Sequence, residues 1–172
     1  MQDRTFRRSL GEFATGVAVV TARSNGGELI GMTMSSFNSV SIDPPLVLFS
    51  VDRKALSLPA MLEAKGFAVN VLAREQEDIS NQFARALSNK WDQVKTTIGH
   101  AQAPLISGAL AHFECEPYAQ HDGGDHVIFL VRVVRHITHP DAPPPLVFFR
   151  GRYWDLVDET KREPAWPLPI HY

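Results

Sequence analysis

The strand-like segments of this 172-residue chain follow one another at hairpin spacing. Residues 17–22 and 29–34 are apolar and rich in residues that favour strands, and Asn25-Gly26-Gly27 between them is a strong hairpin turn. The periodicity indicates about seven strands and two or three short helices, without regular alternation of strand and helix. The sequence therefore predicts a mainly β fold, an antiparallel barrel with appended helices, rather than a doubly wound parallel sheet.

The boundaries of the remaining elements follow from apolar spacing and turn residues. Phe6, Leu10 and Phe13 recur at i, i+4 and i+7, which predicts an N-terminal helix that ends at Gly16. Two further helices are predicted over 55–64 and 75–87, and loops over 99–104, 118–125 and the proline-rich 141–145. The other strands are predicted at 46–51, where both faces are expected to be buried, and at 67–72, 110–116, 127–137 and 146–149.

Composition limits the classes of partner. The formal net charge of -2 gives no electrostatic reason to expect nucleic acid or an anionic membrane. No apolar run has the length of a membrane span, and no signal-peptide pattern is visible. Cys115 is the single cysteine, which fits a reducing compartment, so we expect a cytoplasmic protein with a single domain.

Hydroxyl side chains cluster around the first hairpin. They are Thr33, Ser35, Ser36, Ser39 and Ser41, with Phe37 among them. Such a run can direct O–H and N–H groups at an anionic oxygen, and Phe37 can offer a flat face to a ring. Arg53, Lys54 and Ser57 follow the next strand, where a phosphate would fit. The alternative is a solvated serine-rich hairpin followed by a basic surface turn.

Other candidate sites are weaker. Residues 110–116 alternate, so Cys115 is expected to pack inward while His112 and Glu114 face solvent. The histidines and carboxylates of this region match no zinc spacing, and no serine lies in a nucleophile elbow. The Gly123-Gly124 pair opens no helix, so it is not a dinucleotide fingerprint. His126 lies where a loop meets a strand, beside Asp125, and either faces a cleft or caps its own loop.

Six segments carry a resemblance to a known family. They are FATGVAVVT at 13–21, GMTMSSF at 31–37, SVSIDPPLV at 39–47, FAVNVL at 67–72, QFA at 82–84 and GDH at 124–126. They resemble the flavin reductase family, the small reductase components of two-component flavin-dependent monooxygenases, and the resemblance runs from about residue 6 to residue 156. The resemblance implies an FMN-binding split β-barrel of antiparallel Greek-key topology that forms a homodimer. Residues 1–156 would then be the flavin reductase-like domain and 157–172 a C-terminal tail.

The resemblance also assigns roles to individual residues. The isoalloxazine ring and ribityl chain of the flavin would lie against Thr33, Met34, Ser35, Ser36 and Phe37. The phosphate would be held by Ser50, Lys54 and Ser57. Asp125 and His126 would face the nicotinamide, with His126 as the catalytic residue, and Tyr153 belongs to a segment that closes over the pocket.

The implied activity is reduction of free flavin, FMN or FAD, by NADH or NADPH, with transfer of the reduced flavin to a separate monooxygenase. The alternative is a flavin-binding split barrel without nicotinamide turnover, a sensor or storage module. The sequence leaves open which flavin, which nicotinamide and which oxygenase are used.

Overall fold

The computed structural model describes residues 2–86, 89–139 and 143–156 of the chain. Within these residues there are three α-helices and twelve strands, all of whose pairings are antiparallel. The helices are α1 Gln2–Leu10, α2 Leu58–Leu62 and α3 Glu77–Phe83. The strands are β1 Thr15–Gly16, β2 Ala18–Arg23, β3 Leu29–Met34, β4 Asn38–Ser41, β5 Leu46–Asp52, β6 Phe67–Val71, β7 Thr96–Ile98, β8 Pro104–Ile106, β9 Ala111–Gly123, β10 His126–Thr138, β11 Val147–Phe149 and β12 Arg152–Trp154.

Seven of the strands form the main sheet, in the order β3-β2-β6-β9-β10-β5-β4. Its consecutive hairpins are β2–β3, β4–β5 and β9–β10, and the first of these turns through Gly27 with φ of 88°. Residues 35–37 join the two outermost strands, and Ser36 Oγ accepts a hydrogen bond from Ser50 N–H on β5 at 3.0 Å. The predicted antiparallel barrel is confirmed, with two small sheets, β1-β11-β12 and β7-β8, beside it.

Aromatic rings fill the barrel interior. Phe49 and Phe129 stack at 5.1 Å between ring centroids, and Phe67 meets both rings edge-on. These three side chains are at most 1% exposed. Along β5 and β10 buried residues alternate with half-buried ones, so burial in β5 is mainly one-sided and not two-sided as predicted.

A second core lies outside the barrel, where α3 and the C-terminal strands cover the sheet. Its buried members are Val17, Val19, Leu72, Phe83, Ile106 and Leu146. This layer explains why Val19 and Val20 are both fully buried although they point to opposite faces of β2. The core therefore has two layers, and α3 lies on the side that carries the candidate site.

The prediction that His112 and Glu114 face solvent is wrong. Their relative exposures are 7% and 1%. Glu114 accepts two hydrogen bonds from the Arg135 guanidinium and one from His100 N–H, and a ring nitrogen of His112 lies 2.9 Å from the Ile106 carbonyl oxygen. The turn at 100–102 and β8 cover this face of β9, in the region predicted to be a loop, so the polar side chains are buried with partners.

The predicted polar loop at 118–125 is also wrong, because most of it is strand. β9 and β10 each have 13 residues and pair along nearly their whole length, turning at Gly124, whose φ is 75°. Residues 117–123 of β9 are almost all exposed, whereas the β10 residues that pair with them include the buried Val127 and Phe129. Backbone pairing with β10, rather than burial of its own side chains, therefore defines this part of β9.

All three helices are shorter than predicted. α1 ends at Leu10, and Gly16 lies in β1 opposite Val147. The exposures of Phe6, Leu10 and Phe13 are 65%, 59% and 77%, so the apolar face of the predicted helix is uncovered in the single chain. Turns hold residues 52–58 before α2, and α3 follows a 3₁₀ turn and ends at Phe83.

The prediction that Cys115 packs inward is confirmed, since it is fully buried. Burial, with the Glu114 carboxylate as a lesser cause, raises the pKa of its thiol to about 12. In the described part of the chain no helix is long and apolar enough to cross a membrane. The predicted tail at 157–172 and part of the predicted linker at 141–145 lie outside the described residues.

Candidate active site

A cleft of about 650 Å³ lies along the free edge of β3. Since β3 is the outermost strand of the main sheet, its outer backbone groups face the cleft instead of a neighbouring strand. The other walls are the segment that leads into α2 and the end of α3 with the chain that follows it. The residues that line the cleft include Gly31, Thr33, Ser57, Phe83, Lys90 and Trp91.

Two of the predicted flavin-binding residues, Thr33 and Ser57, line this cleft. Thr33 Oγ1 donates a hydrogen bond to the Ser80 carbonyl oxygen at 2.7 Å, which fixes β3 to α3. Ser57 lies at the N-terminus of α2, and its hydroxyl makes no capping hydrogen bond to that helix. The Ser57 hydroxyl is therefore available to a ligand, while the Thr33 hydroxyl is already engaged.

Aromatic rings form one wall of the cleft. The Phe83 and Trp91 rings meet edge-on at 4.7 Å between centroids, and Trp91 Nε1 donates to the Leu29 carbonyl oxygen at 3.1 Å. Phe83 lies directly over Gly31: a β-carbon at position 31 would be 2.4 Å from the Phe83 ring. Glycine at this position therefore permits the aromatic wall to approach the strand.

A lysine completes the same wall. Lys90 is half-buried, and its Nζ donates a hydrogen bond to the Gly31 carbonyl oxygen at 3.1 Å. Burial lowers the pKa of its ammonium group, because removal from water disfavours the charged form. The cleft thus combines aromatic surface, a hydroxyl and a cation, which suits a planar ring that carries an anionic group.

Other predicted residues surround the connection between β3 and β4. Met34 is buried in the barrel, Ser35 is exposed, and Ser36 is held by the backbone of Ser50. Phe37 is half-buried against Phe113, at 5.4 Å between ring centroids. These residues are near the end of β3 in sequence but are not among the residues that line the cleft.

The β9–β10 turn brings a second group of predicted residues together. Arg53 N–H donates to the Asp125 carbonyl oxygen at 2.9 Å, and Arg53 Nε to the Gly124 carbonyl oxygen at 2.8 Å. His126 Nδ1 lies 2.7 Å from Asp125 Oδ1, and the pKa of Asp125 is lowered chiefly by this hydrogen bond. Lys54 is exposed, and its N–H donates to Asp52 Oδ1 at 2.7 Å.

The residues after β5 connect this turn to the cleft. His126 pairs with Asp52 at the end of β5, and Ala55 and Ser57, which follow within five residues, line the cleft. His126 keeps 41% of its side chain exposed. The structure therefore places His126 and Lys54 at one end of the 52–57 segment and Ser57 at the other.

Tyr153 lies apart from both groups. Its hydroxyl forms a hydrogen bond of 2.8 Å with Ser80 Oγ and one of 3.3 Å with Asn81 Oδ1, both on α3. Ser80 thereby contacts Thr33 through its carbonyl oxygen and Tyr153 through its hydroxyl. Tyr153 supports the helix behind the cleft and is not one of the cleft-lining residues.

Sequence reasoning gave no role to Lys90, Trp91 or Gly31. Lys90 and Trp91 follow α3 in a segment without periodicity, so no pattern linked them to β3. The sequence signal that could have located them is the QFA segment at 82–84. It belongs to the resemblance, contains Phe83 of the aromatic wall, and lies a few residues before Lys90 and Trp91 in the chain. No cluster of three or more potential metal ligands occurs among the described residues.

The comparison with known families decides the classification. The model of the flavin reductase like domain matches residues 10–156. The chain belongs to this family. The match contains β3, the cleft and the β9–β10 turn, and it ends where the predicted tail begins.

Individual relatives agree with this family. The chain is 45% identical over 150 residues to FMN reductase (NADH) SmoA of Agrobacterium fabrum, covering 87% of this chain and 84% of the relative. It is 38% identical over 151 residues to the reductase component of the flavin-dependent trigonelline monooxygenase of Acinetobacter baylyi, covering 88% of this chain and 48% of that protein. The chain thus spans about half the length of the second relative.

A solved structure with bound ligands has the same fold. It is the NADH:FAD oxidoreductase SgcE6 of Streptomyces globisporus in complex with NAD and FAD fragments, which matches with a TM-score of 0.86 and 38% identity. The match covers 92% of this chain and 96% of SgcE6. The split barrel of the family is therefore the fold of this chain.

Proposed function

We propose that this protein is a flavin reductase that transfers a hydride from NADH or NADPH to FMN or FAD. The observation that carries the proposal is the cleft beside β3, where the Phe83 and Trp91 rings, the free Ser57 hydroxyl and the Lys90 ammonium group face one space. The reported activities of SmoA and SgcE6, an NADH-dependent FMN reductase and an NADH:FAD oxidoreductase, support it.

The residues of the cleft fit a flavin. Its volume of about 650 Å³ lies within the range of roughly 300–1,000 Å³ typical of small-molecule sites. Phe83 and Trp91 offer apolar surface to a ring system, and Ser57 offers a donor to a phosphate oxygen. The sequence resemblance adds Ser50 and Lys54 for the phosphate, and Met34, Ser35, Ser36 and Phe37 for the ring and ribityl chain.

Bound flavin supplies the hydride acceptor, so the protein's task is positioning rather than proton transfer. The carbonyl groups of Leu29 and Gly31 on β3 hold Trp91 and Lys90 in place, and the pairing with β2 fixes the strand itself. Thr33 keeps this edge attached to α3 through Ser80. A rigid wall of this kind would position a flavin for a hydride donor without the need for a catalytic carboxylate.

His126 is proposed to orient the nicotinamide. Its half-exposed ring is held by the Asp125 carboxylate at 2.7 Å, and Asp125 is in turn held through its carbonyl oxygen by Arg53. The 52–57 segment connects this ring with the cleft. We propose that Asp125 sets the orientation of the His126 ring, which leaves its Nε2 atom free for the hydride donor.

We further propose that reduced flavin leaves the protein and is used by a separate monooxygenase. The Acinetobacter baylyi relative, a reductase component of such a system, supports this proposal. The alternative, a flavin sensor or storage protein, requires flavin binding without turnover of the nicotinamide.

Anaerobic reduction separates these two functions. Purified protein is mixed with FMN or FAD and NADH without oxygen, and flavin absorbance is followed. A reductase bleaches the flavin at a rate proportional to protein concentration over many turnovers. A storage or sensor protein binds flavin but leaves the absorbance unchanged, and this result would overturn the proposal.

A cytoplasmic homodimer is the proposed form of the protein. The exposed apolar side chains of Phe6 and Leu10 on α1, and of Phe13 just after it, form surface that a second copy would cover, and twofold dimers are the commonest oligomers. The single, unpaired cysteine is consistent with a reducing compartment. Sedimentation that finds a stable monomer at micromolar concentration would contradict the dimer.

A further inference from the structure

Lys90 is a cation whose charge has no anionic partner within residues 2–86, 89–139 and 143–156. Its Nζ donates to the neutral Gly31 carbonyl oxygen at 3.1 Å. No ion pair connects it with a carboxylate among the described residues, although Glu28 also lines the cleft. An ammonium group has three donors, so two remain for a ligand in the cleft that Lys90 lines.

The position of Lys90 is costly without a ligand. The side chain is half-buried beside the Trp91 and Phe83 wall, and burial lowers the pKa of its amine. A charge removed from water without a counter-charge destabilises its surroundings, and an anion that binds next to it recovers that energy. The cleft is therefore arranged for a ligand that carries negative charge.

Ser57 provides a second donor to the same space. It lines the cleft with Lys90, and its hydroxyl makes no capping bond to α2. An oxidised isoalloxazine ring is uncharged at neutral pH, whereas the phosphate of FMN carries close to two negative charges. Among the groups of an oxidised flavin, the phosphate is the one that can compensate the charge of Lys90.

We propose that Lys90 and Ser57 together bind the phosphate of the flavin, with Lys90 supplying the positive charge. This inference rests on the proposed function, because it requires a flavin in the cleft. It gives Lys90 a role in phosphate binding that neither the sequence motifs nor the resemblance indicated. Lys54, in contrast, is exposed and does not line the cleft, so it contributes at most from the mouth of the site.

The test compares FMN with riboflavin, which has the same ring and ribityl chain but no phosphate. Each flavin is titrated into the wild-type protein and into Lys90→Gln, with quenching of flavin fluorescence as the signal. We expect Lys90→Gln to weaken FMN binding about ten- to a hundred-fold, the range for loss of a charge-assisted hydrogen bond. Riboflavin binding stays unchanged, and Lys90→Arg recovers most of the FMN affinity.

Lys95→Gln is the matched control, since Lys95 is an exposed lysine of the same segment and does not line the cleft. Unchanged FMN affinity in Lys90→Gln overturns the proposal, and so does an equal loss of FMN and riboflavin affinity, which would place Lys90 at the ring or in a structural role. If Lys90→Gln does not fold, the wild-type protein decides the matter. Increasing salt must then weaken FMN binding more than riboflavin binding, and equal salt dependence overturns the proposal.

The binding test uses no NADH, so it can fail independently of the proposed function. A protein that reduces FMN while Lys90→Gln binds FMN normally is a flavin reductase with a different phosphate site. A protein that binds FMN through Lys90 but does not bleach it with NADH has the phosphate site without the proposed activity.

Discussion

Phe83 occupies the space in which a side chain at Gly31 would lie. A β-carbon at position 31 would be 2.4 and 2.6 Å from two atoms of the Phe83 ring and 3.0 Å from Trp91. The aromatic wall of the cleft therefore depends on one glycine of the edge strand. Because Phe83 also belongs to the outer core, displacing it affects both the ligand site and the stability of the fold.

We expect Gly31→Ala to displace the Phe83 ring, with an overpacking cost of about 1–3 kcal/mol in the free energy of unfolding. Flavin affinity should decrease at the same time, because Trp91 and Lys90 are bonded to the backbone of the same strand. Denaturant unfolding and a flavin titration measure the two effects. Gly16→Ala is the control, since no atom lies within 4 Å of a β-carbon there, and an equal loss in both variants would contradict the explanation.

The Glu114 carboxylate predicts a pH dependence of stability. Hydrogen bonds from the Arg135 guanidinium, with a further one from His100 N–H, lower its pKa from the ordinary value of 4.5, against the opposing effect of burial. A carboxyl whose pKa is lower in the folded protein than in the unfolded chain stabilises the fold at pH values above its unfolded-state pKa. That stabilisation is lost as the pH falls through the pKa that the carboxyl has in the folded protein.

We therefore expect Glu114→Gln to be destabilised by about 1–3 kcal/mol at pH 7. The difference from the wild type should begin to shrink as the pH falls below 4.5, where the unfolded chain takes up the proton, and should be lost below the lowered pKa of the folded protein, where the wild-type carboxyl is protonated as well. Urea unfolding at several pH values measures it. Glu116→Gln, which removes an exposed ion pair with Arg132, should cost less than about 1 kcal/mol. A difference that is constant from pH 7 to pH 3 would exclude this role of Glu114.

The same residues show what sequence could and could not predict. Hairpin spacing identified the antiparallel barrel, because the pairing of neighbouring strands is a local property of turns such as 25–27. The alternation along β9 correctly placed His112 and Glu114 on the opposite face of the strand from Cys115. It gave no indication that β8 and the turn before it cover His112 and Glu114. Which face is covered depends on packing of distant segments, and the sequence pattern carries no such information.

The cleft was only partly predictable for the same reason. Thr33 and Ser57 belong to recognisable motifs, and both line it. Lys90 and Trp91 come to the cleft because their side chains bond to carbonyl groups of β3, about sixty residues earlier in the chain. Contacts between a side chain and a distant edge strand leave no periodic signal.

Cys115 should be inert in the folded protein. It is fully buried, and the pKa of its thiol is raised to about 12, so the reactive thiolate is scarce at neutral pH. We expect no alkylation by iodoacetamide at pH 8 under native conditions, and complete alkylation in denaturant. Mass spectrometry measures the modification. Stoichiometric alkylation of protein that keeps its native circular dichroism would show that the thiol is accessible after all.

The last prediction concerns His126, which is either a ligand-facing residue or a loop cap. If it orients the nicotinamide, His126→Ala should lower the rate of flavin reduction by about ten-fold, less than the loss typical of a general base. Flavin affinity should stay nearly the same, because the residues proposed to bind the flavin, Ser57, Lys90 and the aromatic wall, line the cleft at the other end of the 52–57 segment.

Asp125→Asn tests the same arrangement through the partner of His126. It removes the carboxylate that lies 2.7 Å from Nδ1 but leaves the ring in place, so we expect a smaller loss of rate than in His126→Ala. His121→Ala is the control, since His121 is an exposed histidine on the same ribbon. A loop cap would behave differently: its removal should lower the melting temperature and leave the rate per folded molecule unchanged. Stopped-flow reduction, a flavin titration and a melting curve on the three variants therefore distinguish the two roles.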